Sequence, residues 1–161
     1  MRILGIDPGF AITGYSILDY VGNKFKLVEA DSVLTTPKQK FPDRLTKIYD
    51  ELNIIIDNYK PEAIAVEELF FSKNVKTALN VAHARGIILI LGSKKNIALY
   101  EYTPLQVKQA VCGYGRADKV QVQKMVQAIL NIESVPKLDD ITDSIAVAIC
   151  HAHSAKFASC V

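Results

Sequence analysis

The sequence predicts an α/β protein built on one mixed five-stranded sheet with helices on both faces. Three observations predict it. The run Ile3-Leu4-Gly5-Ile6 is apolar without alternation, as in a strand covered on both sides by helices. Two extended stretches follow at hairpin spacing, and helical and extended patterns then alternate to the C-terminus. Half of the 161 residues are apolar and 22% are charged, which suits a single domain over 1–161 with a sizeable core.

The first strand ends in Asp7, and Pro8-Gly9 turns the chain at once. Gly14 to Leu18 reads as a second strand. Gly22-Asn23 supplies a turn, and Phe25 to Leu34 returns as a third, so these three pair antiparallel. Leu45, Ile48, Tyr49, Leu52, Ile55 and Ile56 recur at helical spacing, which predicts a long helix over 41–59, stopped by Pro61. Ala63 to Glu67 is a fourth strand, parallel to the first through that helical crossover. A second helix over 74–91 is rich in small residues, and a fifth strand covers 96–100. Pro104 opens a short helix to about Val111, Gly113-Tyr114-Gly115 is a loop, and Asp118 caps a helix through Leu130. A last helix runs from Asp139 to about Ala158. Three antiparallel strands followed by alternating helix and strand is the order found in RNase H-like nucleases.

Within that order the carboxylates are the informative residues. Asp7 ends one buried strand and Glu67 another, and strand ends at the carboxyl edge of such a sheet line a shared crevice. An ionised carboxylate in apolar surroundings needs a cation, a metal ion or backbone N–H groups beside it. Asp140 and Asp143 are three apart on a helix and share a face, whereas Asp139 points about 100° away. Glu67 and Glu68 point to opposite faces of their strand, and spacing leaves open which faces the crevice. Carboxylates from three elements suit hard divalent cations, and two ions roughly 4 Å apart clamp the attacking and leaving oxygens of a phosphodiester. Acidic residues in a first helical turn also occur for dipole reasons alone.

Charge is distributed unevenly. Between Ser72 and Lys124 lie nine basic residues against two acidic ones, and the rest of the chain is net acidic. A basic middle beside acidic clusters suits an enzyme that binds polyanion and metal together, although solvated helix faces explain the pattern equally well. No apolar run approaches the roughly 18–20 residues that span a bilayer, and no leader pattern precedes Asp7. Three unpatterned cysteines, Cys112, Cys150 and Cys160, fit free thiols in a reducing cytoplasm. Cys150, His151 and His153 point different ways on one helix and do not match zinc frameworks.

The residues also match a family. Ile3-Leu4-Gly5-Ile6-Asp7-Pro8-Gly9 with Thr13-Gly14-Tyr15 closely resembles the opening of the bacterial Holliday junction resolvase (RuvC) family. The resemblance continues through Ala65-Val66-Glu67, Phe70, Lys73-Asn74, Ala84-Arg85-Gly86, Tyr102 and Gln106-Val107-Lys108-Gln109. It closes with Gly113 to Gly115, Lys119, Gln121-Val122, and Asp140 to Asp143 with Ser144 and Ala146. It covers nearly the whole chain in order. It implies an RNase H-like homodimer in which each subunit would hydrolyse one of two symmetry-related strands of a four-way DNA junction, leaving 5′-phosphate and 3′-hydroxyl ends.

By the same resemblance the metal ligands fall on Asp7, Glu67, Asp140 and Asp143, with Asp7 bridging two Mg²⁺ ions and Mn²⁺ as a substitute. Phe70 would stack on an unpaired base, which tolerates any base identity. Lys108 would grip backbone phosphate, and Lys119 would stabilise charge developing at the scissile phosphate. Lys73 would be a further DNA contact, and Arg116 one by position alone. Ala78, Val81, Ala82 and Arg85 fall on the helix that the family uses for its dimer contact, though burial against the sheet explains those small residues as well. A RuvA–RuvB branch-migration complex is the implied partner. An actin-like ATPase or sugar kinase also opens with strand, Asp and Gly-rich turn, but a kinase needs a second phosphate motif and a nucleotide-binding lobe, and the chain has little room for them.

Overall fold

The computed structural model describes residues 1–68 and 75–158. Phe70, Phe71, Lys73 and Cys160 lie outside the described residues. The strands are β1 (Arg2–Asp7), β2 (Ile12–Val21), β3 (Lys24–Leu34), β4 (Ala63–Glu67) and β5 (Ala98–Tyr102). The helices are α1 (Phe41–Tyr59), α2 (Val75–Lys94), α3 (Pro104–Cys112), α4 (Lys119–Leu130) and α5 (Asp139–Ala158). The sheet runs β3-β2-β1-β4-β5, with β1–β3 antiparallel and β4 and β5 parallel to β1.

Strand alternation divides the core in two. Leu4, Ile6, Ile17, Ile64 and Val66 point to one face, where Ile48, Leu52 and Ile56 of α1 and Ala84, Ile88 and Leu91 of α2 cover them. Ile3, Leu18 and Ala65 point to the other, beneath α5, with α3 and α4 packed outside it. Residues 144–150 of α5 are buried all round, so this helix is apolar on every side rather than striped.

The sheet face under α5 carries small residues for a steric reason. A Cβ at Gly5 would overlap the Ser144 carbonyl and crowd Ala148, and a Cβ at Gly14 would overlap the Asp140 carbonyl. Both glycines lie on that face, since Asp7 pairs with Gly14 and Gly5 with Ser16. Here glycine lets a helix backbone touch the sheet.

Two details depart from the sequence reading. β5 begins two residues later than expected, because α2 continues to Lys94 and Asn96 takes a left-handed conformation (φ 54°). The Lys95, Asn96 and Ile97 N–H groups close that helix end onto the carbonyls of Leu91, Ser93 and Gly92. In β3 the register shifts opposite Ile17 and Leu18, which face Glu29 and Leu27, so Val28 is the extra residue of a bulge. α1, by contrast, ends at the expected Tyr59, with Lys60 left-handed (φ 49°) ahead of Pro61.

α2 turns one stripe to the sheet and another outward, with Ala82 of the small-residue set on the outward one. Ala84, Ile88 and Leu91 are buried against the sheet, and Arg85 is held by Glu101 of β5. The exposed face carries Leu79 (54% exposed), Ala82, Gly86 and Ile90 (51% exposed), spaced to lie along one line of the helix.

Candidate active site

Asp7 and Glu67 end neighbouring parallel strands, one residue beyond the Ile6–Val66 pair. Alternation fixes their direction. Gly5 and Ala65 face α5, so Asp7 and Glu67, two residues on, face it too. Glu68 points away and is exposed. The choice between Glu67 and Glu68 that spacing left open is thereby made for Glu67.

α5 brings its first turns over these two carboxylates. Asp140 and Asp143 both act on Asp7, whose acidity reports the crowding. Burial pushes the Asp7 carboxyl up to about 8, and the charges of Glu67, Asp143 and Asp140 add to this. Glu67 is also raised, by burial and then by Asp143, although its hydrogen bond with Asp7 and the nearby Lys108 and Lys119 oppose the rise. Asp143 is raised by burial against the pull of Lys119. Asp7 and Glu67 therefore share a proton readily, and the cluster is short of positive charge.

Two lysines stand at the rim. Glu67, Asp143, Lys108 and Lys119 line one cavity of about 180 Å³ together with Pro104, Val107, Val122 and Ala146. Lys119 Nζ lies 2.9 Å from Asp139 and 3.8 Å from Asp143. Burial favours its neutral form, but the hydrogen bond to Asp139 and the charge of Asp143 raise it overall, so it stays protonated. Asp139 also accepts from Gln123 Nε2 at 2.9 Å. Its ion pair makes it the anchor of Lys119. Asp118 caps α4 as expected, closing a reciprocal capping box with Gln121 that sets the start of the helix bearing Lys119. Arg116 is exposed on the loop just before that cap. Tyr114 is half exposed beyond Gly113, which ends α3 at φ 83°.

The donor set suits a hard divalent cation. Every candidate ligand is a carboxylate oxygen, and a cation would offset the burial and the repulsion that together raise Asp7. Among the described residues, no three His, Cys, Asp or Glu groups form a ready-made cage for a metal ion. Mg²⁺ takes few protein carboxylates and completes its shell with water and phosphate oxygens, so an open set fits it. At the other end of α5 both imidazoles have protein partners. His151 Nδ1 pairs with the Tyr102 hydroxyl at 2.8 Å, and His153 Nδ1 lies 3.2 Å from the Ala110 carbonyl. Cys150 is buried.

The acidity of Asp7 has a measurable consequence for stability. Its folded value of about 8 lies above the 3.8 of an ordinary aspartate. Between these values the folded, metal-free protein holds a proton that the unfolded chain releases. Stability therefore falls as pH rises from about 4 to 8, by at most about 1.4 kcal/mol per pH unit for this group. Thermal melts in chelator at pH 5.5 and pH 8 should show a loss that Asp7→Asn reduces. Mg²⁺ should restore the wild-type Tm at pH 8.

The β3-β2-β1-β4-β5 sheet flanked by five helices is an RNase H-like nuclease fold, with carboxylates ending β1 and β4 and lysines at the rim. Residues 3–151 match the family model described as crossover junction endodeoxyribonuclease RuvC. The relative from Finegoldia magna is 57% identical over 157 residues, covering 98% of this chain and 96% of its own. That from Ruminiclostridium cellulolyticum is 55% identical over 154 residues, covering 96% and 93%. Both carry the same description as the family model. Among solved structures, Thermus thermophilus RuvC superposes with a TM-score of 0.92 at 33% identity, covering 98% of this chain and 97% of that one. The same protein in complex with Holliday junction substrate gives 0.94, also at 33% identity, covering 99% and 97%. The chain belongs to the crossover junction endodeoxyribonuclease RuvC family.

Proposed function

We propose that this chain is a Mg²⁺-dependent endonuclease that resolves four-way DNA junctions as a homodimer, each subunit nicking one of two symmetry-related strands. The observation that supports it is that Glu67, Asp140 and Asp143 all act electrostatically on the buried Asp7, while Glu67 and Asp143 line one cavity with Lys108 and Lys119. Asp7, Glu67, Asp140 and Asp143 would hold two metal ions. Bound Mg²⁺, for which Mn²⁺ substitutes, supplies charge neutralisation at the phosphate and a water of lowered pKa. Lys108 binds a backbone phosphate oxygen. Lys119, held protonated by Asp139, faces the charge that builds on the scissile phosphate. Attack in line releases the 3′-hydroxyl and leaves a 5′-phosphate that ligase can seal. Phe70, Lys73 and Arg116 extend the DNA contact, Phe70 by stacking on a base at the crossover. The RuvA–RuvB branch-migration complex is the partner expected on the junction, and the cytoplasm is the expected location.

The exposed stripe of α2 supports the homodimer. Leu79, Ala82, Gly86 and Ile90 form a continuous apolar line on a surface helix, and a Cβ at Gly86 would meet nothing within 4 Å. Charging that line, as in Leu79→Asp or Ile90→Asp, should give a folded monomer by sedimentation that no longer cuts both strands of a junction in concert. A dimer of unchanged affinity in both variants would place the interface elsewhere.

The function is tested with synthetic four-way junctions and linear duplexes of matched sequence, with and without Mg²⁺. Paired symmetric nicks confined to the junction and dependent on the metal are expected. Equal cleavage of linear duplex, or none of either substrate, refutes the proposal.

A further inference from the structure

We infer that the cleft between the Gly9–Ile12 turn, α1 and α2 binds a DNA backbone phosphate flanking the one being cut, with Arg44 as its principal ligand. The inference rests on the nuclease reading above and adds a second binding wall to the same site. The cleft is about 390 Å³, and Gly9, Phe10, Arg44, Asn80 and Asp140 are among the residues that line it. Glu67 and Asp143 line the cavity of Lys108 and Lys119 instead. Cavities thus approach the acidic centre from two sides, one past Asp143 and the other past Asp140. A strand laid across Asp7 leaves over the two lysines in one direction and enters this cleft in the other.

Arg44 is built into the wall of that cleft. Its guanidinium carbon sits 3.8 Å from the centre of the Phe10 ring. Nε donates to Thr35 Oγ1 at 2.9 Å, and Nη2 donates to the Phe10 carbonyl at 3.3 Å. Thr35 Oγ1 in turn donates to that carbonyl at 2.5 Å. These contacts hold the planar head against an aromatic face through neutral oxygens. None of them neutralises it: among the described residues no carboxylate lies within 4 Å of Arg44, and Nη1 has no protein partner. A fixed guanidinium with no ion pair among the described residues, in a cleft that Asp140 also lines, is poised for an anion that passes close to the carboxylates. The fork geometry of arginine matches two phosphate oxygens, and the Asn80 amide adds a donor from α2 across the cleft.

The test couples one protein group to one phosphate. Synthetic four-way junctions carry a single neutral methylphosphonate at each of the phosphates flanking the cut site in turn. Binding is measured without metal and single-turnover cleavage with Mg²⁺, for the wild type, Arg44→Gln and Arg44→Lys. Arg44→Gln should weaken binding to the unmodified junction roughly tenfold. The slope of log affinity against log salt should shrink by about one, and Arg44→Lys should restore part of both. One methylphosphonate position should cost the wild type a similar factor yet cost Arg44→Gln almost nothing. A purely structural Arg44, stapling the turn to α1, lowers the melting temperature but leaves the salt slope unchanged and every methylphosphonate penalty additive. That result overturns the inference. Wild-type enzyme that fails to nick the unmodified junction overturns the underlying function instead.

Discussion

Asp7→Asn should abolish junction cleavage while leaving junction binding intact. The amide has nearly the shape of the carboxyl, so the end of β1 keeps its geometry and its place next to Glu67. What it lacks is the negative charge that draws a divalent cation into the crevice. A drop on the order of 10³-fold or more in single-turnover cleavage is expected, comparable to deleting a principal electrostatic element of an active site. Junction affinity without metal should hold, since the metal-free Asp7 carboxyl is already protonated near neutral pH and the amide changes little charge. The variant should also be more stable than wild type in chelator at pH 8, where Asp7 is the group most penalised by burial and by its three acidic neighbours. Relief of about 1–3 kcal/mol would raise Tm by roughly 2–4 °C for each kcal/mol. Cleavage near the wild-type rate in Mg²⁺ would show that Asp7 is not a metal ligand.

Gly14→Ala should be almost as damaging to activity, although residue 14 has no chemistry of its own. Its new methyl would occupy the space of the Asp140 carbonyl, directly across from Asp7. A helix carbonyl cannot swing aside without breaking its own bonding, so the start of α5 must lift from the sheet. Overpacking of this kind costs about 1–3 kcal/mol, a Tm loss of roughly 2–12 °C. Moving Asp140 by even 1 Å from Asp7 should slow cleavage roughly 100-fold. Mg²⁺ should stabilise the variant less than the wild type, because the oxygens that would share the ion no longer converge. Full activity in a variant with an unchanged Mg²⁺ response would mean that α5 is not positioned through this contact.

Most of the architecture was legible in the chain because its punctuation is local. Pro8-Gly9, Gly22-Asn23, Pro61 and Pro104 each end or begin an element where hydrogen bonding or φ requires it, and α1, β4 and the start of α3 fall where these residues place them. Asn96 was harder to read, since asparagine is common both in turns and in the left-handed end of a helix, and β5 slid by two residues as a result. The bulge at Val28 leaves no mark in composition. The four carboxylates were visible as residues, but their convergence depends on how closely α5 lies to the sheet. A cue to that was present: Gly5, Gly14, Ser16 and Ala65 are all small and occupy one alternating face, which also selects Glu67 over Glu68. Arg44 was invisible as anything but a polar residue on an amphipathic helix. Its role arises from Phe10 and Thr35, which reach it from distant parts of the chain.

α5 is clamped unevenly along its length. Residues 144–150 are sealed from solvent between the sheet and α3 and α4, whereas Asp139, Asp140 and Asp143 sit at the partly open leading turn. Amide protons in the sealed middle should be among the slowest in the protein to exchange, and those of the leading turn among the faster helical ones. α5 thus carries Asp139, Asp140 and Asp143 on its more open first turns and is anchored behind them by a sealed shaft.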